Sequence, residues 1–208
     1  NSRVTDERLA ALVDSEMDGR YWFAIPKRNA LFVPLSSIHE RLTSVPLIAS
    51  AAISRSSLTS LSVHVVERSP AALWCMDAEC YLMDSEGYMY SVVTPDTPTE
   101  HYRRYYGTVP SAPVGSLFLD GQFRALYDFI ALVEQSVTQS IVRVAVEDKD
   151  VLLQLSNGGE IRFVRTDIAP SLAKTMGSVM TSSKFDTTKT LDYADFRFIP
   201  RVVVKYRD

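Results

Sequence analysis

The sequence predicts an α+β protein: a small block of two helices on a short sheet, then a mainly antiparallel β domain with two further helices. Apolar residues recur at helical spacing near the start, at Leu9, Leu12, Val13 and Met17. From Ala71 onward, short alternating runs are separated by turn clusters such as Ser156-Asn157-Gly158-Gly159. The closing stretch LDYADFRFIPRVVVKYRD reads as two strands, Leu191 to Phe198 and Arg201 to Tyr206, joined at Ile199-Pro200. The two blocks are expected to cover residues 1–70 and 71–208.

In the first block, Thr5-Asp6-Glu7 supplies a cap oxygen and first-turn acids for a helix that Gly19 suits as a stop. Tyr21 to Val33 is apolar but interrupted by Pro26-Lys27-Arg28-Asn29, which predicts irregular chain or a short strand pair. Pro34 suits the first turn of a second helix, with Leu35, Ile38 and Leu42 on one face and Pro46 as its stop. Strands follow at Leu47 to Arg55 and Ser60 to Arg68, around a turn at Ser56-Ser57-Leu58-Thr59. In the second of them Leu61, Val63 and Val65 alternate with Ser62 and His64, the half-buried pattern.

The second block opens with strands at Ala71 to Trp74 and Tyr81 to Met83, a turn at Asp84-Ser85-Glu86-Gly87, and a strand at Tyr88 to Val93. Thr94 to Ser116, with Pro95, Pro98, Pro110 and Pro113, reads as one long connection. Asp120 is placed to cap a third helix whose stripe is Phe123, Leu126, Tyr127, Ile130 and Val133. Strands at Ile141 to Val146, Val151 to Leu155 and Glu160 to Val164 come next, the last two around an Asn-Gly hairpin signal. Thr166-Asp167 opens a fourth helix running to about Thr181.

Composition narrows the function. A length of 208 residues with 46% hydrophobic and 23% charged residues is that of an ordinary globular chain of one large or two small domains. A net charge of −3 argues against a surface that coats nucleic acid. No apolar run reaches the roughly 18 residues a bilayer requires. The chain begins at Asn1 without a charged-then-apolar leader, and reads as a fragment whose targeting segment has been removed. Nothing in it points to a cofactor.

Cys75 and Cys80 flank Met76-Asp77-Ala78-Glu79, a connection suited to a hairpin. Opposed hairpin residues come close enough for a disulfide, which implies an oxidising compartment. Reduced thiols and half of a metal site are the alternatives, although no further Cys completes a Cys₄ set and no His lies at ligand spacing.

Other candidate chemistry is sparse. His39, His64 and His101 are far apart, and no Ser- or Cys-centred nucleophile motif accompanies them. Asp77, Glu79, Asp84 and Glu86 cluster in adjacent turns but lack the alternating ligands of a calcium loop. His101-Tyr102-Arg103-Arg104-Tyr105-Tyr106 interleaves bases with aromatics, as single-strand nucleic-acid binders do, or folds onto the domain through its tyrosines. No phosphate-cradling glycine loop is present. Val202-Val203-Val204 is either an ordinary interior strand or an edge whose unpaired backbone groups invite another chain. Arg197 is either an interface group or a buried partner of Asp195 or Asp192.

The order of these elements resembles the extracytoplasmic region of the FtsQ/DivIB bacterial cell-division family. The likeness rests on Val45-Pro46 before IASAAISR, on SLTSLSVHVVERSP ending in Glu67-Arg68-x-Pro70, and on AALW with YLMDSEGYMY. VLLQLSNGGEIRFV and LDYADFRF continue it, so that nearly the whole chain is covered. The resemblance implies a POTRA module over 1–70, its first strand and a single membrane-spanning helix lying upstream of Asn1, and a β domain over 71–208. It implies a non-enzymatic scaffold at the division septum, anchored in the inner membrane with this region periplasmic. FtsB/DivIC-like and FtsL-like coiled-coil proteins are the implied partners, other division proteins docking on the POTRA module. It also places a partner strand along the last strand, making Phe198, Pro200, Arg201, Val202, Val203, Val204, Lys205 and Tyr206 the candidate partner-binding residues. Ile199-Pro200 departs from the small polar residues the family has at that turn, and Pro200 donates no hydrogen bond, so pairing is expected from Val202 onward. The cysteine pair is not a general family feature. The rival readings are a POTRA-type polypeptide-binding module of a transport system and a cell-wall hydrolase with distant carboxylates.

Overall fold

A computed structural model describes residues 4–18, 20–21, 25–26, 33–57, 60–108, 112–182, 185–186 and 188–207. The architecture is α+β. The chain forms two compact units, Asn1–Ser69 and Pro70–Asp208.

The first unit runs α1 (Asp6–Met17), β1 (Arg20–Tyr21), β2 (Ile25–Pro26), α2 (Leu35–Thr43), β3 (Ile48–Arg55) and β4 (Leu61–Glu67). Thr5 caps α1, its hydroxyl accepting from the Arg8 N–H at 3.3 Å. Gly19, the expected stop, lies outside the described residues. The segment expected to be irregular or a strand pair holds the short ladder of β1 with β2; residues 22–24 and 27–32 are outside the description. Pro34 stands at the N-cap of α2, one position ahead of the first turn in which it was expected. Ile38 and Leu42 from α2 pack with Val13, Ile48 and Ala51 into the unit's core. Antiparallel β3 and β4 form its sheet, the predicted turn residues Leu58 and Thr59 lying outside the description.

Glu67 and Arg68, which close β4, act as clamps. A Glu67 carboxylate oxygen accepts from the Val4 N–H at 2.8 Å, ahead of α1. Arg68 Nε donates to the Pro46 carbonyl at 3.1 Å, ahead of β3.

The second unit contains β5 (Ala72–Met76), β6 (Glu79–Met83), β7 (Met89–Val92), β8 (Arg104–Gly107), α3 (Phe123–Glu134), β9 (Ile141–Glu147) and β10 (Asp150–Leu155). It closes with β11 (Glu160–Val164), α4 (Pro170–Met180), β12 (Leu191–Phe198) and β13 (Arg201–Tyr206). The strands make one nine-stranded sheet in the order β13-β12-β11-β10-β9-β8-β5-β6-β7. Pairing is mainly antiparallel, with parallel joins at β5–β8, β8–β9 and β11–β12. Helices α3 and α4 supply the other half of the core; Phe129 meets Phe163 with ring centroids 5.1 Å apart.

One expectation is overturned at the centre of this sheet. Thr94 to Ser116 is not a single connection, because it contains β8. Tyr105 of that strand is fully buried, edge-on to Phe123 at 4.9 Å, and burial pushes its phenol up to about 12 against the opposing charge of Arg103. The Trp74 indole donates to the Gly107 carbonyl at 3.2 Å, tying β5 to the same strand. Parallel pairing with distant strands needs no neighbouring turn signal, so the sequence around β8 does not announce it.

The helix starts also move. Asp120 does not cap α3; it sits in a 3₁₀ turn, Phe118–Gly121, with φ 46°, and Gln122 occupies the N-cap position without capping the helix through its side chain, which accepts from Arg165 instead. The buried stripe of α3 includes Phe129, whereas Tyr127 is half-buried. Thr166-Asp167 belongs to a separate 3₁₀ turn, and α4 starts at Pro170, where the missing N–H costs nothing.

Cys75 and Cys80 are register partners joined by a disulfide, with their Cα atoms 4.1 Å apart. Met76 pairs with Glu79, so the connection shrinks to Asp77-Ala78. In the next turn one oxygen of buried Asp84 accepts from the N–H groups of Glu86 and Tyr88, at 2.9 and 3.0 Å. Gly87 lies there at φ 88°, where an added Cβ would stand 2.7 Å from Phe123 Cβ. Gly87→Ala is expected to lower unfolding free energy by about 2–3 kcal/mol, from the left-handed backbone plus the clash with α3. Urea unfolding monitored by tryptophan fluorescence would read it; an unchanged midpoint would show that α3 can shift at no cost.

Candidate functional site

The site is the open side of β13, whose exposure is set by its place at one end of the sheet order. Its residues alternate along the strand: Val202, Val204 and Tyr206 are half-buried against the core cluster, and Arg201, Val203 and Lys205 are exposed. Backbone direction follows from the end of the strand. The Arg207 N–H donates to the Thr190 carbonyl at 2.9 Å, so Arg207 faces the neighbouring strand. With a two-residue repeat, Lys205, Val203 and Arg201 also turn their N–H and C=O groups towards β12. Val202, Val204 and Tyr206 therefore turn theirs outward. Both register shifts of this pair, at Leu191/Tyr193 and Asp195/Phe198, add the extra residue to β12 and leave the alternation of β13 intact.

The predicted partner-binding residues divide accordingly. Phe198 ends β12 and is 62% exposed, with Ile199 exposed beside it. Pro200 lies in the turn, and Arg201 is in register with Phe198. Val203 projects to solvent on the opposite side of the strand from Val202 and Val204. Lys205 is exposed and lies 3.1 Å from Asp192. Tyr206 is committed to its own domain: its ring meets Phe185 at 5.8 Å and its hydroxyl accepts from the Asp186 N–H at 2.7 Å. With Lys189 Nζ also 5.8 Å from its ring centroid, Tyr206 offers a partner its backbone.

Arg197 holds this edge to the rest of the sheet. Its Nε donates to both carboxylate oxygens of Asp195, at 3.0 and 3.2 Å, and one terminal nitrogen donates to Asp195 at 2.7 Å. The other terminal nitrogen reaches Asp150 at the start of β10. Asp150 is the partner that sequence reasoning missed, since 47 residues separate the two; Asp192 instead faces Lys205 and Arg207. Burial alone would raise the Asp195 pKa, but the Arg197 side chain, its backbone N–H and its charge outweigh it and hold the carboxyl below the usual range. The same pairing raises Arg197.

The opposite edge is closed over its first half. The Met89 N–H donates to the Ser116 carbonyl at 3.0 Å, the Gly115 N–H to the Met89 carbonyl at 2.8 Å, and the Phe118 N–H to the Gly87 carbonyl at 2.9 Å. Segment 115–118 thus covers the start of β7.

The remaining candidates disperse. His39, His64 and His101 are all exposed, on α2, on β4 and in the chain before β8. The turn acids are engaged locally: Glu79 accepts from the Tyr81 hydroxyl at 2.9 Å, Asp84 holds its own turn, and Glu86 meets Arg124 at 3.0 Å. Among the described residues no group of acids, histidines or cysteines is arranged to hold a metal ion. The basic–aromatic stretch is split by β8, which buries Tyr105 and leaves Arg104 and Tyr106 on the other side of the sheet. No described helix is long and apolar enough to cross a membrane. Compared with known proteins, the chain matches no family model and no curated relative.

Asp195→Asn is expected to cost about 2 kcal/mol at neutral pH, a buried-pair loss reduced because Arg197 is partly exposed. With its folded pKa depressed, Asp195 stabilises the fold above the unfolded-state value near 3.9 and loses that contribution as pH falls through the folded value. Urea midpoints of wild type and variant should therefore converge below about pH 3.9. A gap that persists undiminished in acid would mean that the carboxylate charge is not what stabilises the edge.

Proposed function

We propose that this chain is a non-enzymatic docking platform of the bacterial division machinery, the extracytoplasmic part of an FtsQ/DivIB-like protein. The observation that carries the reading is the pair of unlike sheet edges. One is covered over the first half of β7 by the chain's own segment 115–118, while β13 leaves the backbone groups of Val202, Val204 and Tyr206 without a strand beside them among the described residues. An uncovered edge of this length is a liability in an isolated protein and an asset in one that binds an extended segment.

The partner adds a strand alongside β13. Its main-chain groups bond those of Val202, Val204 and Tyr206, and its side chains meet the apolar surface of Phe198, Ile199 and Val203. Arg201 and Lys205 discourage unguided pairing at the same edge. FtsB/DivIC-like and FtsL-like coiled-coil proteins are the proposed partners. The first unit, with its helix–helix–strand–strand order, serves as the POTRA module that docks other division proteins. The disulfide fits a periplasmic location, and a single membrane-spanning helix upstream provides the anchor.

Val204→Pro is the discriminating change. It removes one outward donor and leaves the ladder to β12 untouched, whereas proline at Val203 would break that ladder. Tagged wild type should capture the coiled-coil division proteins from detergent-solubilised native membranes, and the variant should lose at least about tenfold of that yield while keeping its circular dichroism spectrum. Equal capture by both proteins would move the binding site elsewhere. Absence of any division protein from both captures would remove the division reading itself.

A further inference from the structure

The face of the second sheet turned away from α3 and α4 carries a pair of arginines that the strand edge does not use. Arg104 of β8 and Arg143 of β9 are register partners on adjacent parallel strands, so their side chains leave the sheet on the same face, about 5 Å apart at the backbone. Both are exposed. Neither meets a carboxylate among the described residues. Arg103, Arg124, Arg162 and Arg197, in the same unit, each do. Like charges directly opposite one another destabilise a sheet, and this chain keeps such a pair although its net charge is −3.

The surroundings hold one of the two in place. The Arg143 guanidinium lies 3.8 Å from the centroid of the Tyr106 ring, so its position is set by stacking and its donors remain free for a planar oxyanion. Beside it opens a shallow cavity of about 650 Å³ whose lining on this face includes Tyr106 and Ala145. Glu147 and Asp148 stand at the same cavity. A polyanion such as nucleic acid would be repelled by those acids. A single acidic side chain with an apolar neighbour satisfies both parts, its carboxylate on the arginines and its neighbour against the Tyr106 ring and Ala145.

We propose that Arg104, Arg143 and Tyr106 form a carboxylate-binding site for a short acidic segment of a protein partner. It is separate from the β13 edge, which lies four to five strand positions away, roughly 20–24 Å across the sheet. The proposal does not depend on what binds there.

The test uses the full chain and fluorescence anisotropy with a fluorescein-labelled peptide carrying glutamates between leucines, alongside its glutamine counterpart. Wild type should prefer the glutamate peptide by about tenfold. The double variant Arg104→Gln/Arg143→Gln should lose the preference, and Val204→Pro should keep it. Arg104→Gln alone should weaken the peptide while raising the melting temperature, because the like-charge opposition is relieved. Equal binding of both peptides, or a preference surviving in the double variant, would overturn the site. Inorganic polyphosphate binding more tightly than the glutamate peptide, through the same arginines, would replace the protein segment with a polyanion and end the proposal as stated.

Discussion

The guanidinium of Arg197 is the interaction on which the open edge depends. Strands β11 and β12 pair over only three positions, Glu160 to Arg162 against Tyr193 to Asp195. Parallel pairing is slightly weaker per residue than antiparallel pairing, and everything beyond it, β12 and β13 together, hangs on that short ladder. Arg197 bridges the join by binding Asp195 on its own strand and Asp150 two strands away. Arginine suits this place because its planar fork serves two carboxylates at once, which an ammonium group cannot do with the same geometry. The far end of β13 is secured differently, by Tyr206 on Phe185 and by Arg207 donating to the Gly158 carbonyl. The middle of the strand, Val202 to Val204, is thereby held between two anchored ends with its outer backbone groups unencumbered.

The other half of the sheet is organised around buried aromatic rings. Tyr105, Phe118 and Phe123 pack in tilted or edge-on pairs with centroids 4.9–6.4 Å apart. They join the interior strand β8 to the start of α3 and to the segment that covers the start of β7. A single arrangement therefore places a strand inside the sheet and closes the first half of one of its two edges. The contrast between the closed edge and the open one is a consequence of packing, and it gives the second unit a polarity along the sheet.

That polarity matters for the functional reading. A protein whose edges were both covered would offer a partner only side chains, and one with both uncovered would be prone to self-association. Here Phe198, Ile199 and Val203 are exposed at the β13 side, flanked by Arg201 and Lys205, while Val92, Val114 and Leu117 are exposed at the β7 side. The paired arginines on the face turned away from α3 and α4 add a second feature of different chemistry, with charge and a fixed ring in place of main-chain bonding.

Local pattern was enough to determine several parts of this protein. The boundaries of β12 and β13 follow from alternation, the β-branched run and the Ile199-Pro200 turn. Opposed positions around a tight turn bring Cys75 and Cys80 together, and the stripe on α3 was legible apart from Phe129, which belongs to it, and Tyr127, which is half-buried. These are short-range properties, governed by periodicity, turn chemistry and burial of one face. What the sequence left open is what depends on partners distant along the chain. Whether β13 was interior or edge was decided by the strand order, and the mate of Arg197 by the pairing of β10 with β11 and of β11 with β12, which brings Asp150 beside it. Strand β8 was hidden because its pairs are parallel and its flanks are rich in proline and charge. The opposition of Arg104 and Arg143 exists only once that strand is in place. Side-chain alternation is written residue by residue, but the identity of a strand's neighbours is fixed by the packing of the whole unit.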